Sequence, residues 1–104
     1  MLLIVKKIKV EWNLKQRFNL WFTDETMEIY IRKTNRFNLL FLDIGNIEIY
    51  HKGKGTFTKL IEEIKLYMCS NIYIESIFNK RLIQYLKRNN WISAKTIPPS
   101  YYRT

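Results

Sequence analysis

The sequence predicts an α/β fold with a mixed sheet, antiparallel in its first half, followed by a β-α-β-α order in its second half. Period-two alternation of apolar residues before residue 51 indicates half-buried strands. An apolar strand, a basic glycine turn and an amphipathic helix then follow in direct succession. With 104 residues, 47% of them hydrophobic, we expect one domain over residues 1–104.

The amino-terminal region satisfies two periodicities. Apolar residues at alternate positions predict a strand over residues 8–14 and another over 18–22, which would form a hairpin. A helix across residues 4–19 is the competing prediction, because three apolar residues also share a helical face. These residues are Ile4, Ile8 and Trp12. We favour the strand interpretation.

Two further strands are predicted before the glycine turn. Short polar side chains predict a turn at residues 23–26, and alternation predicts a strand over residues 27–35. A long strand over residues 37–50 is interrupted at Gly45-Asn46. Since glycine inside a strand often marks a bulge or a close backbone approach, we expect one of these at Gly45.

The second half predicts a parallel crossover. Apolar residues repeat at helical spacing over residues 57–68, and either Thr56 or Thr58 is a candidate cap for this helix. Residues 72–77 are mostly apolar, which is typical of a strand covered on both faces. A strand, a helix of this length and a second strand imply parallel pairing with right-handed connection.

The carboxyl-terminal region predicts one more helix and little regular structure after it. Residues 78–88 separate into an apolar face and a basic face, and Asn89-Asn90 ends the helix. Residues 91–93 are the candidate for the start of a last strand. Residues 98–103 are expected to form an extended aromatic tail, for which mobility is the default.

The turn at residues 51–56 has the features of a phosphate-binding site. Gly53 and Gly55 allow a tight turn and a close backbone approach to a ligand. The helix that follows would present unpaired N–H groups and a partial positive charge to that ligand. Formal charge is added at the same place by Lys52, Lys54 and Lys59.

Several other kinds of site are excluded. The turn is no P-loop, because no Gly-Lys-Ser/Thr follows, and no dinucleotide fingerprint, because Thr58 stands where a third glycine belongs. The single cysteine, Cys69, excludes an internal disulfide. One cysteine and one histidine cannot form a zinc site of the usual kind, so we predict no metal site.

The net charge of +9 predicts an anionic partner, which could be a nucleic acid, a polyphosphate cofactor or an acidic protein. One helix face carries four cations that are either solvated or directed at nucleic acid or a cofactor phosphate. These are Lys80, Arg81, Lys87 and Arg88. In the tail, Tyr101, Tyr102 and Arg103 are candidates to line an acceptor groove or to stack on bases.

The amino terminus predicts a cytoplasmic protein with no membrane partner. Residues 1–5 are apolar and Lys6 and Lys7 follow at once, the reverse of the order in a secretory signal. The apolar run is also far shorter than the roughly 20 residues of a membrane span. The abundance of isoleucine, lysine and asparagine is typical of an AT-rich genome, such as that of a bacteriophage or a low-GC bacterium.

The order of elements over residues 40–93 resembles the GNAT superfamily of acetyl-CoA-dependent N-acyltransferases. The family's Gln/Arg-x-x-Gly-x-Gly/Ala turn corresponds to residues 52–57, with Gly55 as the central glycine. The family's later strand, which ends in an asparagine that opens the next helix near the cofactor, corresponds to residues 74–79. The resemblance implies a short and divergent GNAT-like domain that binds acetyl-CoA and transfers acetyl to an amine of a protein or a small molecule such as a polyamine.

The resemblance also implies roles for individual residues. The implied cofactor-binding residues are Ile47, Ile49, Lys52, Gly53, Lys54, Gly55, Thr56, Phe57, Thr58 and Asn79. Three residues are candidates for the chemistry: Glu48 as a general base, Glu75 to activate the amine, and Tyr85 as a proton donor. Each also has a structural interpretation: Glu48 as an exposed strand carboxylate, Glu75 as the partner of a lysine, and Tyr85 as an aromatic at the edge of the core. His51 is not a catalytic candidate.

The sequence departs from the family pattern at several positions. Leu86 stands where a tyrosine normally serves as general acid, and Tyr85 lies one residue earlier, rotated by about 100° on a helix. The usual Gly-Phe after that helix is Asn90-Trp91, and the first half is too short for the two helices that normally follow the first strand. The alternative function is therefore a non-catalytic basic protein on a GNAT-like scaffold that binds nucleic acid or an acidic host protein. A third is a nucleic-acid module unrelated to this family.

Overall fold

The structure is a computed structural model that describes residues 1–51, 53–75, 77 and 79–104. Its helices and strands follow one another as α1 (Leu3–Leu14), β1 (Asn19–Thr23), β2 (Met27–Arg36), β3 (Leu39–Ile49), α2 (Thr56–Tyr67), β4 (Ile72–Ile74), α3 (Lys80–Arg88), β5 (Ile92–Ser93) and β6 (Tyr101–Arg103). The strands form one mixed sheet in the order β1-β2-β3-β4-β6-β5. This α+β architecture agrees with the predicted fold class.

The sheet is antiparallel in its first half and contains the predicted parallel pair in its second half. Strands β1, β2 and β3 are antiparallel neighbours joined by short turns. Strand β4 pairs parallel to β3, and α2 forms the connection between them. Strand β6 then inserts between β4 and β5, antiparallel to both.

The strand predicted over residues 8–14 is wrong, because α1 occupies this region. Its buried side chains include Ile4, Ile8 and Trp12, which lie four residues apart and face the core. Val10 and Leu14, which the alternating pattern required to be buried, are 56% and 75% exposed. The competing helix prediction had the correct element type, although α1 ends at Leu14 instead of residue 19.

The predicted irregularity at Gly45 is confirmed as a bulge in β3. Tyr30 pairs with Asn46 and Ile31 pairs with Ile44, so Gly45 is the extra residue on its strand. A Cβ atom at position 45 would lie 2.7 Å from Cδ2 of Tyr30. Glycine is therefore required here because the Tyr30 ring packs against the bare backbone.

Strand β3 begins two residues later than predicted, because residues 37 and 38 form the hairpin turn that joins it to β2. Arg36 pairs with Leu39, which leaves Phe37 and Asn38 as a two-residue turn. Both turn residues have positive φ, 53° and 61°, as a type I′ turn requires. The turn projects Phe37 from the end of the strand, where its side chain is 61% exposed.

The carboxyl-terminal segment is β6 and not the mobile tail that was expected. Tyr102 pairs with Tyr73 on one side and with Ile92 on the other. Its ring stacks parallel to that of Tyr73, with centroids 6.1 Å apart, and also contacts Phe37 and Phe41. These aromatic contacts, together with strand pairing on both edges, hold the segment in the sheet.

The main core lies on one face of the sheet, where all three helices pack. Helix α1 contributes Ile8, α2 contributes Leu60 and α3 contributes Leu86, and each of these side chains is fully buried. Strand alternation places Tyr30, Arg32, Arg36, Asp43 and Tyr73 on the opposite face, which we call the open face. No helix among the described residues has the length and apolarity needed to cross a membrane.

Candidate functional site

A groove of ≈ 360 Å³ lies on the helix-covered side of the sheet, between the end of β3, the start of α2 and the start of α3. Ten residues predicted from the sequence line it. They are Ile47, Glu48 and Ile49 of β3; Gly53, Gly55, Thr56, Phe57 and Thr58 at the start of α2; and Asn79 and Tyr85 of the α3 region. The structure therefore brings most of the predicted cofactor-binding residues together around one cavity.

The glycine turn gives α2 an amino terminus without a side-chain cap. Gly55 is the N-cap residue, in a left-handed conformation with φ 71°, and no side chain bonds to the first turn. The predicted caps, Thr56 and Thr58, are wrong because these residues lie inside the helix. The first backbone hydrogen bond of the helix is donated by Lys59 N to Gly55 O, with 3.0 Å between the two atoms. The N–H groups that precede it are free for a ligand within the described part of the chain.

The space in front of the turn is open. Gly53 also has positive φ, 86°, and a Cβ atom at either glycine would meet no other atom within 4 Å. A ligand can therefore approach the backbone closely from the groove. The two glycines supply the left-handed backbone that side chains disfavour, and the free N–H groups supply the donors that a phosphate needs.

A second cavity of ≈ 190 Å³ adjoins the groove and shares Ile47, Asn79 and Leu82 with it. It lies where β3 and β4 diverge, because their pairing ends with Ile44 opposite Ile74. The last link between the two strands is the bond from Glu75 N to Ile44 O, 3.0 Å long. We call these two neighbouring cavities together the path: its wide end is the groove at the start of α2, and its narrow end is the smaller cavity at the gap between the two parallel strands.

Asn79 begins α3 as predicted. Its Oδ1 accepts hydrogen bonds from Arg81 N at 2.9 Å and from Leu82 N at 3.2 Å. Asparagine is among the best N-cap residues because its side chain satisfies N–H groups that have no helical partner. Asn79 also lines both cavities, so the cap lies where the larger cavity meets the smaller one.

Glu75 lies at the narrow end of the path and is held by two arginines of β2. Arg36 Nη2 donates to Glu75 Oε1 at 2.7 Å, and Arg32 Nη2 donates to Oε2. Arg36 also donates to both oxygens of the fully buried Asp43, from Nη2 to Oδ2 at 2.7 Å and from Nε to Oδ1 at 3.2 Å. This contact raises the pKa of Arg36, chiefly through the hydrogen bonds to Asp43. The prediction of a lysine partner for Glu75 is wrong, since its partners are arginines.

Tyr85 lies at the wide end of the path, beside the glycine turn. Its hydroxyl accepts a hydrogen bond of 3.2 Å from Thr58 Oγ1, and its ring packs edge-on against Phe57 with centroids 5.5 Å apart. Tyr85 and Glu75 line different cavities, so the structure does not bring these two catalytic candidates together. Leu86 is fully buried in the core and does not reach the groove.

Glu48 is exposed and lies directly opposite Glu28 of β2. Strand alternation directs its side chain to the face opposite Ile47 and Ile49, whose side chains turn toward the helices. Glu48 therefore borders the groove from the strand edge, with its carboxylate on the open face. Two carboxylates that face each other across neighbouring strands repel each other. A cationic group close to both would relieve this repulsion.

The cationic side chain that lines the groove in the described part of the chain is not one of the three lysines predicted from the sequence. Lys54 and Lys59 are exposed beside the turn but do not line the groove, and Lys52 lies outside the described residues. Among the described residues, Arg81 is the one lysine or arginine that lines it. The sequence placed Arg81 on a basic helix face that is either solvated or directed at nucleic acid or a cofactor phosphate, and did not single it out from the other three cations. The available signal was its position two residues after the capping asparagine.

Other titratable groups lie apart from the groove. Burial raises the pKa of the Cys69 thiol, which contacts the carbonyl groups of Leu40 and Asn71. A raised pKa leaves less of the nucleophilic thiolate at neutral pH. In the described part of the chain, no three histidine, cysteine, aspartate or glutamate side chains gather where they could hold a metal ion.

Comparison with known protein families, with curated proteins and with solved structures finds no match to this chain.

Proposed function

We propose that this protein binds acetyl-CoA in the groove and transfers its acetyl group to an amine, as an N-acetyltransferase of GNAT type. The observation that carries the proposal is the uncapped start of α2, which opens onto a groove that adjoins a second cavity at the gap between β3 and β4. The cofactor has a diphosphate, which would take the N–H groups at one end of the groove. Its narrow arm would reach the other end.

The residues of the groove suit the parts of the cofactor. Free N–H groups at the start of α2, with Gly53 and Gly55 before them, would hold the pyrophosphate. Ile47 and Ile49 offer an apolar strand edge along which the pantetheine arm would lie. Asn79 stands where the path narrows, in keeping with the position that the family resemblance implies for its asparagine.

The strand order is a second support. A parallel pair, β3 and β4, connected by the helix that follows the phosphate-binding turn, agrees with the element order of the resemblance over residues 40–93. The pair separates after Ile44 and Ile74, so the sheet itself provides the opening into which the arm would enter. The match in element order and in cavity position is the basis for choosing this family.

The proposed chemistry uses groups that line the two cavities. Acetyl-CoA supplies an activated thioester that a neutral amine can attack with loss of the CoA thiolate. Glu48 would be the base, because it lines the groove and its exposed carboxylate has no ion-pair partner among the described residues. Since strand alternation directs this carboxylate to the open face, the acceptor amine would have to approach the strand edge from that side. Guanidinium groups already bind both oxygens of Glu75, so Glu75 would serve to orient the amine that accepts the acetyl group. Tyr85 lies beside the phosphate-binding turn and would act on the cofactor.

Calorimetric titration with acetyl-CoA tests the binding step, using the wild type and Gly55→Glu. The substitution adds bulk and negative charge at the start of α2, and we expect it to abolish binding. Because Gly55 has positive φ, the variant will also be less stable by about 1 kcal/mol, so its folding must be verified by circular dichroism. Gln84→Glu is the matched control, since it adds the same charge on α3 outside the groove. Equal binding by wild type and Gly55→Glu would place the cofactor elsewhere.

Incubation with labelled acetyl-CoA and a cell lysate tests the transfer step. We expect slow transfer, because the family's general acid is absent and general acid catalysis typically contributes about 100- to 10,000-fold. Glu48→Gln should reduce the rate more than Tyr85→Phe. If acetyl-CoA binds while no product is acetylated and no CoA is released, the protein is a binder and the enzymatic part of the proposal is wrong.

The second candidate is a non-catalytic binding protein that uses its basic surface. The observation in its favour is that the four cations of α3 are exposed and have no carboxylate partner in the described part of the chain. Affinity for short DNA or RNA should then fall steeply with salt as counterions are released. Absence of binding at low salt would eliminate nucleic acid as the partner of this basic surface.

A further inference from the structure

Two helices begin at the same groove, and they present different groups to it. The first turn of α2 contributes residues 56–58 and the first turn of α3 contributes Arg81 and Leu82. The positive ends of both helix dipoles therefore converge on one cavity. A ligand with negative charge at two separate positions would match this arrangement better than a ligand with one anionic group.

The two helix ends have different binding capacities. Helix α2 has no side-chain cap, so its first N–H groups are available as donors. Helix α3 is capped by Asn79, whose Oδ1 already occupies the N–H groups of Arg81 and Leu82. The α3 end must therefore act through a side chain, and Arg81 is the cationic side chain at that position.

Arg81 is free to bind an anion. Its side chain is exposed, and none of the salt bridges among the described residues involves it. Helix α3 contains four basic and no acidic residues, so no neighbour on the helix neutralises the guanidinium. A planar guanidinium can donate two parallel hydrogen bonds to a phosphate monoester, which a lysine cannot do.

We propose that Arg81 binds the 3′-phosphate of CoA and makes the protein discriminate CoA from its 3′-dephospho form. This inference rests on the proposed function, since it assigns the second anionic group of the same ligand. The diphosphate would take the free N–H groups at the start of α2, and the phosphate monoester would take the guanidinium on α3. The specificity for the 3′-phosphate then comes from one exposed side chain.

Calorimetric titration of acetyl-CoA and 3′-dephospho-acetyl-CoA at low salt tests the inference. We expect wild type to bind acetyl-CoA about tenfold more tightly, as is typical of a hydrogen bond to a charged group. In Arg81→Gln the ratio should fall to about two. Arg88→Gln is the matched control, because it removes the same charge from the last turn of α3, outside the groove, and should leave the ratio at about ten.

The outcomes separate the inference from the proposed function. If wild type binds both compounds equally, or if Arg81→Gln keeps the tenfold ratio, the role of Arg81 is wrong while acetyl-CoA binding stands. If Arg88→Gln loses as much of the ratio as Arg81→Gln, general electrostatic attraction explains the preference and the assignment is also wrong. If wild type binds neither compound, the proposed function fails and the inference fails with it.

Discussion

Substituting Gly45 by alanine tests whether the bulge in β3 exists to accommodate the Tyr30 ring. The added Cβ would lie 2.7 Å from Tyr30 Cδ2, which is 0.7 Å short of ordinary van der Waals contact at 3.4 Å. The ring cannot move freely, because it packs against Trp21 with centroids 5.1 Å apart and lies 5.8 Å from the Arg32 guanidinium. Overpacking of this kind typically costs about 1–3 kcal/mol. We expect about 1–2 kcal/mol here, because the Tyr30–Trp21 ring pair is exposed on one side and can shift slightly toward solvent.

A double-mutant cycle isolates the cause. Urea-induced unfolding, followed by circular dichroism, should be measured for wild type, Gly45→Ala, Tyr30→Ala and the double variant. Gly45 has no positive φ, so alanine is compatible with its backbone. In the Tyr30→Ala background, Gly45→Ala should therefore cost less than about 0.5 kcal/mol, or even stabilise the protein by restricting the unfolded chain. An equal loss in both backgrounds would show that the ring contact is not the reason for glycine at this position.

Three further predictions concern charged groups. Asp43→Asn should lower the free energy of unfolding, measured by urea titration, by about 2–3 kcal/mol, because it removes the buried charge opposite Arg36. The loss stays moderate because Glu75 still pairs with that arginine. A loss above about 5 kcal/mol would contradict this reasoning. At Asp24, burial opposes ionisation, but hydrogen bonds from the following turn outweigh it and lower the pKa. The stabilisation is therefore present above the unfolded pKa and lost as pH falls through the folded value, so the melting temperatures of wild type and Asp24→Asn should converge from pH 6 to pH 3; a constant difference would refute this. Glu28→Lys should stabilise the protein by about 0.5 kcal/mol at low salt by pairing with Glu48, and this gain should shrink in 1 M salt.

Some features of the site were predictable because they depend on residues close together in the chain. A glycine in a strand, two glycines before an amphipathic helix and an asparagine before another helix each have a local meaning. The bulge at Gly45, the left-handed Gly55 and the cap at Asn79 agree with those predictions. The helix at the amino terminus was missed, because Ile8 and Trp12 fit both an alternating strand and a helical face.

Other features of the site depend on pairing between distant segments. Glu75 meets arginines that lie 39 and 43 residues away, and no local pattern indicates which cation will reach it. The location of Tyr85 beside Thr58 follows from how α3 packs on α2, which is set by the core and not by either helix alone. Sequence patterns could not assign Arg81 to the groove for the same reason.

The sequence by itself determined the alternation of β2 and β3, the amphipathic helices α2 and α3, the glycine turn before α2 and the positive charge of the chain. Each of these follows from side chains within one or two turns of backbone, where spacing and conformational preference act directly. Only the tertiary structure decided that residues 101–103 enter the sheet, that β3 and β4 part after Ile44, and that two helix ends meet at one groove. Those outcomes depend on burying apolar surface and pairing strands across the whole chain, and the free energies involved are shared among residues far apart in sequence.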